Sequence, residues 1–153
     1  MRPVLTMALA FAVLAAALPA TAQNAGQISL GRGGSSCAGC NLFQADLSGM
    51  EARGLNLSGA RLRQADLSVT TMNRARFSNA DLRDVEAYGG VFSSSSFVGA
   101  YLEGVDFSGA ILTGANLSGA SLVRASGLTQ GRLNQACGDE ATRLPGGLFI
   151  PCC

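Results

Sequence analysis

A five-residue repeat runs through most of the chain without slipping register. Stepping by five through residues 42–122 gives seventeen positions, and all of them hold Leu, Phe or Met except Ala52 and Ala87. The position two residues before each of these, within residues 40–120, is Ala in nine cases of seventeen. A period of five fits neither the roughly 3.6 residues per turn of a helix nor the two-residue alternation of a strand. The repeat therefore requires an architecture in which the chain changes direction every five residues.

Two inward positions in each unit, separated by one outward residue and followed by a two-residue turn, describe one side of a square coil. Four such sides give about 20 residues per coil, with coils about 4.8 Å apart so that their backbones pair. Residues 40–124 then form about four coils, a rod of roughly 20 Å. The two inward residues of a unit also compensate for each other in size. The small Ala52 shares its unit with the large Met50, and the large Phe92 shares its unit with Gly90. Because protein interiors keep a nearly constant packing density, this pattern predicts a filled core.

The repeated unit is Ala-(Asp/Asn)-Leu-x-x, as in ADLSG at 45–49 and ANLSG at 115–119. This unit resembles that of the pentapeptide-repeat family, and the resemblance covers residues 40–124. It implies an all-β fold, a right-handed quadrilateral β-solenoid, which we expect to have about four coils. We also expect a short helix to cap its C-terminal end.

The first 22 residues have the pattern of a cleaved bacterial Sec-type signal peptide. Arg2 precedes an apolar run at 4–18, and Ala20-Thr21-Ala22 matches a small-x-small cleavage site. The run is about 15 residues long, whereas a membrane span needs roughly 20, so an uncleaved anchor is the less favoured alternative. We expect a periplasmic or secreted protein with no membrane span after cleavage. The predicted segments are a signal peptide at 1–22, a flexible segment at 23–36, the solenoid at 37–125 and a C-terminal cap at 126–153.

Beyond the repeat, the C-terminal segment carries signals for a short helix. Thr129 is a suitable N-cap for a helix over Gln130–Ala136, and Gly138 is placed to end it. This tail resembles that of secreted proteobacterial pentapeptide-repeat proteins. We expect it to cover the last coil, because an open solenoid end exposes unpaired backbone.

Five cysteines in an exported chain predict two disulfides and one remaining thiol. Cys37 and Cys40 lie at one end of the rod and the other three lie at the opposite end, about 20 Å away. A disulfide requires Cα atoms within about 7 Å, so no bridge joins the two ends. We expect Cys37–Cys40 and Cys137–Cys152, with Cys153 either free or the alternative partner of Cys137. A C-x-x-C redox site and a four-thiolate zinc site are less favoured alternatives, because the chain lacks a βαβ pattern and its cysteines lie at opposite ends.

The residue types that are missing exclude several classes of enzyme. The chain has no histidine and no lysine, so it contains no Ser-His-Asp triad and no P-loop lysine. A filled solenoid also presents a convex surface without a cleft in which carboxylates could converge for acid–base chemistry. We therefore predict that the protein is not an enzyme, and we assign no catalytic, cofactor-binding or metal-binding residue.

Four acidic residues recur 20 positions apart and are expected to stack on one side of the rod: Asp46, Asp66, Glu86 and Asp106. Like charges about 5 Å apart repel one another and attract cations or a basic partner, which makes this column a possible interaction face. The alternative is that each carboxylate only stabilises its own turn. Six apolar residues at other outward positions fall on more than one side, and the sequence does not join them into one patch.

The function that best fits these features is a non-enzymatic exported scaffold, which binds an unknown protein or an envelope component. The family resemblance supplies an alternative, since some pentapeptide-repeat proteins resemble the DNA duplex and occupy the DNA site of type II topoisomerases. Export disfavours this alternative, as does the near balance of 8 acidic residues and 7 arginines over 40–124. We expect no nucleic acid partner, and the oligomeric state stays open.

Overall fold

The computed structural model describes residues 36–153. The predicted signal peptide at 1–22 and nearly all of the predicted flexible segment at 23–36 lie outside the described residues. Within 36–153, no helix has the length and apolar character needed to cross a membrane.

Parallel backbone pairing between residues 20 apart builds the fold, from the bridge Ser36–Asn56 to the bridge Asp106–Ser126. Around each bridge, hydrogen bonds run in both directions between neighbouring coils. The N–H of Leu62 donates to the carbonyl of Asp81 at 2.7 Å, and the N–H of Asp81 donates to the carbonyl of Ala60 at 2.9 Å. Coils of 20 residues therefore stack directly on one another as a β-solenoid.

A two-residue turn follows each bridging segment and redirects the chain. A backbone hydrogen bond closes the turn, as where the N–H of Ala60 donates to the carbonyl of Leu57 at 3.0 Å. The second turn residue has a positive φ, which explains why this position is often glycine. Eight other residues also adopt this conformation: Gln44, Gln64, Val69, Arg74, Asn79, Asp84, Ser94 and Arg124.

The inward positions form one continuous core, which confirms the core predicted from the repeat. They are buried throughout except in the first coil, where Cys40, Met50 and Ala52 are partly buried. Phenylalanine rings fill the middle of the stack, and the rings of Phe77 and Phe97 lie parallel with centroids 4.8 Å apart. Phe92 also meets the rings of Phe77 and Phe107 edge-on, so successive coils contact through side chains both 15 and 20 residues apart.

Two inward positions carry hydroxyl groups, and both are satisfied by the backbone. Ser95 donates to the carbonyl of Met72 at 2.8 Å and accepts from the N–H of Ala75 at 3.0 Å. Thr70 donates to the carbonyl of Leu67 at 2.8 Å. Because a buried hydroxyl is costly only when it lacks a partner, these residues fit the apolar column without disrupting it.

The C-terminal cap contains one helix, α1, at Gln130–Leu133. Thr129 is its N-cap and accepts from the N–H of Arg132, as expected. The predicted end at Ala136 is wrong, because the chain leaves the helix to pair with the last coil. The carbonyl of Gln135 accepts from the N–H of Gly114, and Cys137 bridges to Asn116.

Candidate interaction surface

The structure brings the four predicted acidic residues together in one column, which we call the acidic column: Asp46, Asp66, Glu86 and Asp106. Successive members are joined by parallel bridges, and the same series continues to Ser126, whose hydroxyl donates to Asp106 at 3.2 Å. The ion pairs within residues 36–153 are Arg63–Asp84 and Arg83–Asp81, and neither includes a member of the column. Within the described residues, the acidic column therefore presents four carboxylates that form no ion pair with an arginine.

Three of these carboxylates also stabilise the turn that follows them. Asp46 accepts from the hydroxyl of Ser48 at 2.6 Å and from its N–H at 3.0 Å. Asp66 and Asp106 accept from the N–H of the serine two residues later, at 2.8 and 2.9 Å. Hydrogen bonds from Ser48 lower the pKa of Asp46, and those from Ser108, followed by Ser126, lower the pKa of Asp106. Asp46 and Asp106 therefore keep their charge to a lower pH than an ordinary aspartate, and all three aspartates have a local structural role in addition to any binding role.

Glu86 differs from the other members of the column. The residue two positions later is Tyr88 instead of a serine, and among the described residues the Glu86 carboxylate has no hydrogen-bond partner. Its side chain is exposed. Because it stabilises no turn, Glu86 is the member of the column whose charge is most available to a partner.

A second charged cluster lies on the preceding side of the coils, and its central pair, Arg83 and Asp81, is satisfied internally. Arg83 donates to Asp81 through Nε at 2.7 Å and Nη2 at 2.6 Å. Hydrogen bonding by Arg83 lowers the pKa of Asp81, and the same contact raises the pKa of Arg83. The guanidinium also lies 5.9 Å from the ring centroid of Tyr101. This cluster is therefore a less suitable site for a charged partner than the acidic column.

The structure contains two disulfides, Cys37–Cys40 and Cys137–Cys153. The first is the expected pair, and neither bridge joins the two ends of the rod. The predicted bridge Cys137–Cys152 is wrong, and the pair formed is the alternative with Cys153. Cys152 is instead an exposed free thiol.

The local pairing explains why Cys153 is the partner. Gly138 forms a parallel bridge with Cys152, so these two residues present the same face of their short ladder. Successive residues of an extended chain point to opposite faces. Cys137 and Cys153, one position to either side of that bridge, therefore share the other face, and their Cα atoms lie 4.8 Å apart.

In the part of the chain that the structure describes, no group of three or more His, Cys, Asp or Glu side chains is arranged to hold a metal ion. The acidic column is extended along the stack and does not converge on one point. The expectation that the protein needs no cofactor stays a prediction.

The sequence profile of the pentapeptide repeats matches the chain in eight copies, over residues 35–73, 53–86, 60–97 and 91–126. These matches cover more than half of the chain. The chain therefore belongs to the pentapeptide-repeat family, and its fold is a right-handed β-solenoid.

Solved structures of several pentapeptide-repeat proteins are similar to this chain. One, from the Arabidopsis thaliana thylakoid lumen, is 27% identical with a TM-score of 0.43, and the match covers 66% of this chain and 59% of that one. This chain thus spans less than two thirds of that protein. Rfr23 from the cyanobacterium Cyanothece 51142 is 23% identical with a TM-score of 0.40, covering 82% and 99% of the two chains. QnrB1, a plasmid-mediated fluoroquinolone resistance protein, is 19% identical with a TM-score of 0.32, covering 76% and 80%. No curated protein has significant sequence similarity to this chain.

Proposed function

We propose that this chain is a non-enzymatic exported scaffold that binds another protein or an envelope component through an outer side of its solenoid. The observation that carries the proposal is the filled core. From Leu55 to Leu122, the apolar side chains at inward positions are at most 5% exposed. The interior therefore offers no space for a substrate, and recognition must use outward side chains. Among these, the acidic column provides the largest set of stacked charges without ion pairs.

The proposed solenoid is quadrilateral and has about four coils, with successive coils about 4.8 Å apart. The five-residue unit, the turn that ends each unit and the bridges between residues 20 apart support this geometry. The solenoid spans 37–125 and the cap 126–153. Such a rod displays each column of outward residues at a fixed spacing, which suits repetitive recognition of a partner.

Export to the periplasm or the cell exterior is supported by the signal-like pattern of residues 1–22 and by the two disulfides. Stable disulfides are typical of oxidising compartments. The intact mass of the protein isolated from its natural host, with and without reductant, tests this. We expect a chain that begins at Gln23 and lacks four hydrogens before reduction, as two disulfides require. A full-length, fully reduced chain would contradict export.

The alternative function, modulation of a type II topoisomerase by DNA mimicry, is favoured only by the acidic column. If the mass shows a full-length reduced protein, a DNA supercoiling assay becomes the decisive experiment. Inhibition of supercoiling by the purified protein would then support the alternative.

Charge reversal tests whether the acidic column binds the partner. We expect Asp66→Arg combined with Glu86→Arg to preserve the circular dichroism spectrum, because both side chains point outward, and to lower stability by only about 1 kcal/mol through the lost hydrogen bond from Ser68 to Asp66. Chemical cross-linking in the natural host is expected to give a discrete adduct with the wild type and none with this variant. A suitable control is Arg74→Glu combined with Arg76→Glu, since it reverses two exposed charges outside the column. Adducts that persist in the Asp66/Glu86 variant would exclude the acidic column as the binding surface.

A further inference from the structure

An exposed apolar surface adjoins the acidic column. It consists of Val69, Tyr88, Val91 and Ile111, which we call the apolar ridge. Val69 is 63% exposed, Tyr88 58% and Ile111 46%, while Val91 is partly exposed. Large apolar side chains exposed next to one another are unusual on a soluble protein and often mark a binding surface.

The four side chains of the ridge lie on three neighbouring coils, with Val69 and Tyr88 at the turn that follows the column and Val91 and Ile111 at the start of the next side. Val91 and Ile111 are paired by a parallel bridge. Val69 Cγ2 lies 4.0 Å from the point that a Cβ atom on Gly89 would occupy. The ring of Tyr88 lies 3.9 Å from the corresponding point on Gly109. Val69 and Tyr88 thus lie over Gly89 and Gly109 of the next coil. Because these glycines have no side chains, nothing at the two turns screens Val69 or Tyr88 from the next coil.

The ridge follows one edge of the acidic column. Tyr88 is two residues after Glu86, and Val69 is three residues after Asp66. Both residues therefore lie in the two-residue turn that follows a member of the acidic column. A stripe of negative charge therefore runs beside an apolar stripe, both parallel to the direction of coil stacking. A partner that covers both stripes needs positive charge on one of its edges and apolar side chains on the next.

On the basis of the scaffold function above, we propose that the acidic column and the apolar ridge form one docking surface for a basic amphipathic helix of a partner protein. The helix lies along the direction of coil stacking. Its arginine or lysine residues face the column, and the adjoining apolar stripe covers the ridge.

The spacing of the coils selects a helix over an extended strand. The carboxylates recur at the coil spacing of about 4.8 Å. Residues along one stripe of a helix recur about every 5.4 Å, and residues on one face of a strand about every 6.7 Å. Over the three intervals of the column, the accumulated mismatch is about 2 Å for a helix and about 6 Å for a strand. Long, flexible arginine and lysine side chains can absorb the smaller mismatch.

Charge and length exclude two other occupants. Anionic lipid headgroups would be repelled by the four carboxylates of the column. A second copy of this chain cannot supply the helix from residues 36–153, since α1 has only four residues there. A helical segment of a partner protein therefore fits the surface better than an anionic lipid or α1 of a second copy.

The test uses the purified mature protein and a fluorescent synthetic peptide of about four helical turns, with arginine at i, i+4, i+7 and i+11 and leucine on the adjoining stripe. A peptide of the same composition in scrambled order is the control ligand. We expect fluorescence anisotropy to show binding of the designed peptide only, and this binding to weaken as salt is added. Circular dichroism should show that the peptide becomes helical on binding.

Variants of the protein separate the two stripes. We expect Val69→Ser with Tyr88→Ser, and separately Asp66→Asn with Glu86→Gln, each to weaken peptide binding about tenfold or more. Val98→Ser removes an exposed valine away from the ridge and should leave the affinity unchanged. Circular dichroism of every variant confirms that the fold is retained.

The outcomes distinguish this inference from the scaffold proposal on which it rests. Equal binding of the scrambled peptide, or no binding of the designed one, overturns helix docking without affecting the cross-linking test of the scaffold. If only the carboxylate variant weakens binding, the joint surface is wrong, but a binding role of the acidic column stands. If both pairs weaken binding and Val98→Ser does not, the joint docking surface is supported.

Discussion

Replacing Leu62 with aspartate is expected to unfold the solenoid. The Leu62 side chain is 0% exposed and lies in one inward column with Leu42 and Leu82, one coil away on either side. A carboxylate at this position would be buried without a partner, at a cost of several kcal/mol, about as large as the whole stability of a domain of this size. Because each coil pairs with the coils on both sides, disruption of the second coil also removes the pairing that stabilises its two neighbours.

Far-UV circular dichroism and thermal denaturation measure this effect. Arg61→Asp is the matched control, since it introduces the same side chain at the adjacent, exposed outward position. Leu62→Met provides a second control, because an apolar substitution of similar volume costs less than about 1.5 kcal/mol. A cooperative thermal transition of Leu62→Asp close to that of Arg61→Asp would show that the inward assignment is wrong.

The core could be predicted from the sequence because the period itself determines which side chains point inward. Two positions in every five are apolar over seventeen units, and a shift of one residue would expose all of them. The prediction tolerates occasional exceptions for a physical reason. Thr70 and Ser95 fit inward positions because turn and coil carbonyls accept their hydroxyl protons. The stacking of the acidic column follows from the same 20-residue spacing.

The features that sequence analysis missed depend on contacts outside the repeat or between coils. The helix ends at Leu133 instead of Ala136 because Cys137 pairs with Asn116 in the last coil. This tertiary pairing outweighs the weak local preference of residues 134–136 for helix. The choice of Cys153 over Cys152 depends on which face each presents beside Gly138. Neither contact leaves a periodic signal in the sequence.

The apolar ridge was missed for a different reason, because Val69 occupies a turn position that is usually glycine or polar. Its contact with the next coil depends on the absence of a side chain at Gly89, 20 residues later. Comparing residues 20 apart at turn positions, as well as at bridge positions, would have revealed that contact. A useful sequence signal for such ridges is therefore a large turn residue followed one coil later by glycine.

The second large effect is expected for Gly127→Ala, at the junction between the solenoid and the cap. Gly127 has φ 72° and directly follows Ser126, the last residue paired in the regular ladder. A Cβ atom here would lie 2.5 Å from Ser108 Cα and 2.6 Å from the carbonyl carbon of Phe107. These are backbone atoms of the coil below, which cannot move without breaking its pairing. We expect a loss of about 2–4 kcal/mol, the sum of overpacking and the cost of alanine at positive φ.

Gly54→Ala separates the two parts of this effect, because Gly54 has nearly the same φ, 70°, but no neighbouring atom within 4 Å of the added Cβ. It should lose only about 1 kcal/mol, the cost of placing alanine in the left-handed region. Urea denaturation of both variants measures the difference, and amide hydrogen exchange locates it. In Gly127→Ala, exchange should accelerate first in the cap, where the carbonyl of residue 127 accepts from Arg132, and then in the last coil that the cap covers. Equal losses in the two variants would mean that the close packing at Gly127 does not stabilise the junction, and that the cap is held by Cys137–Cys153 and its ladder contacts alone.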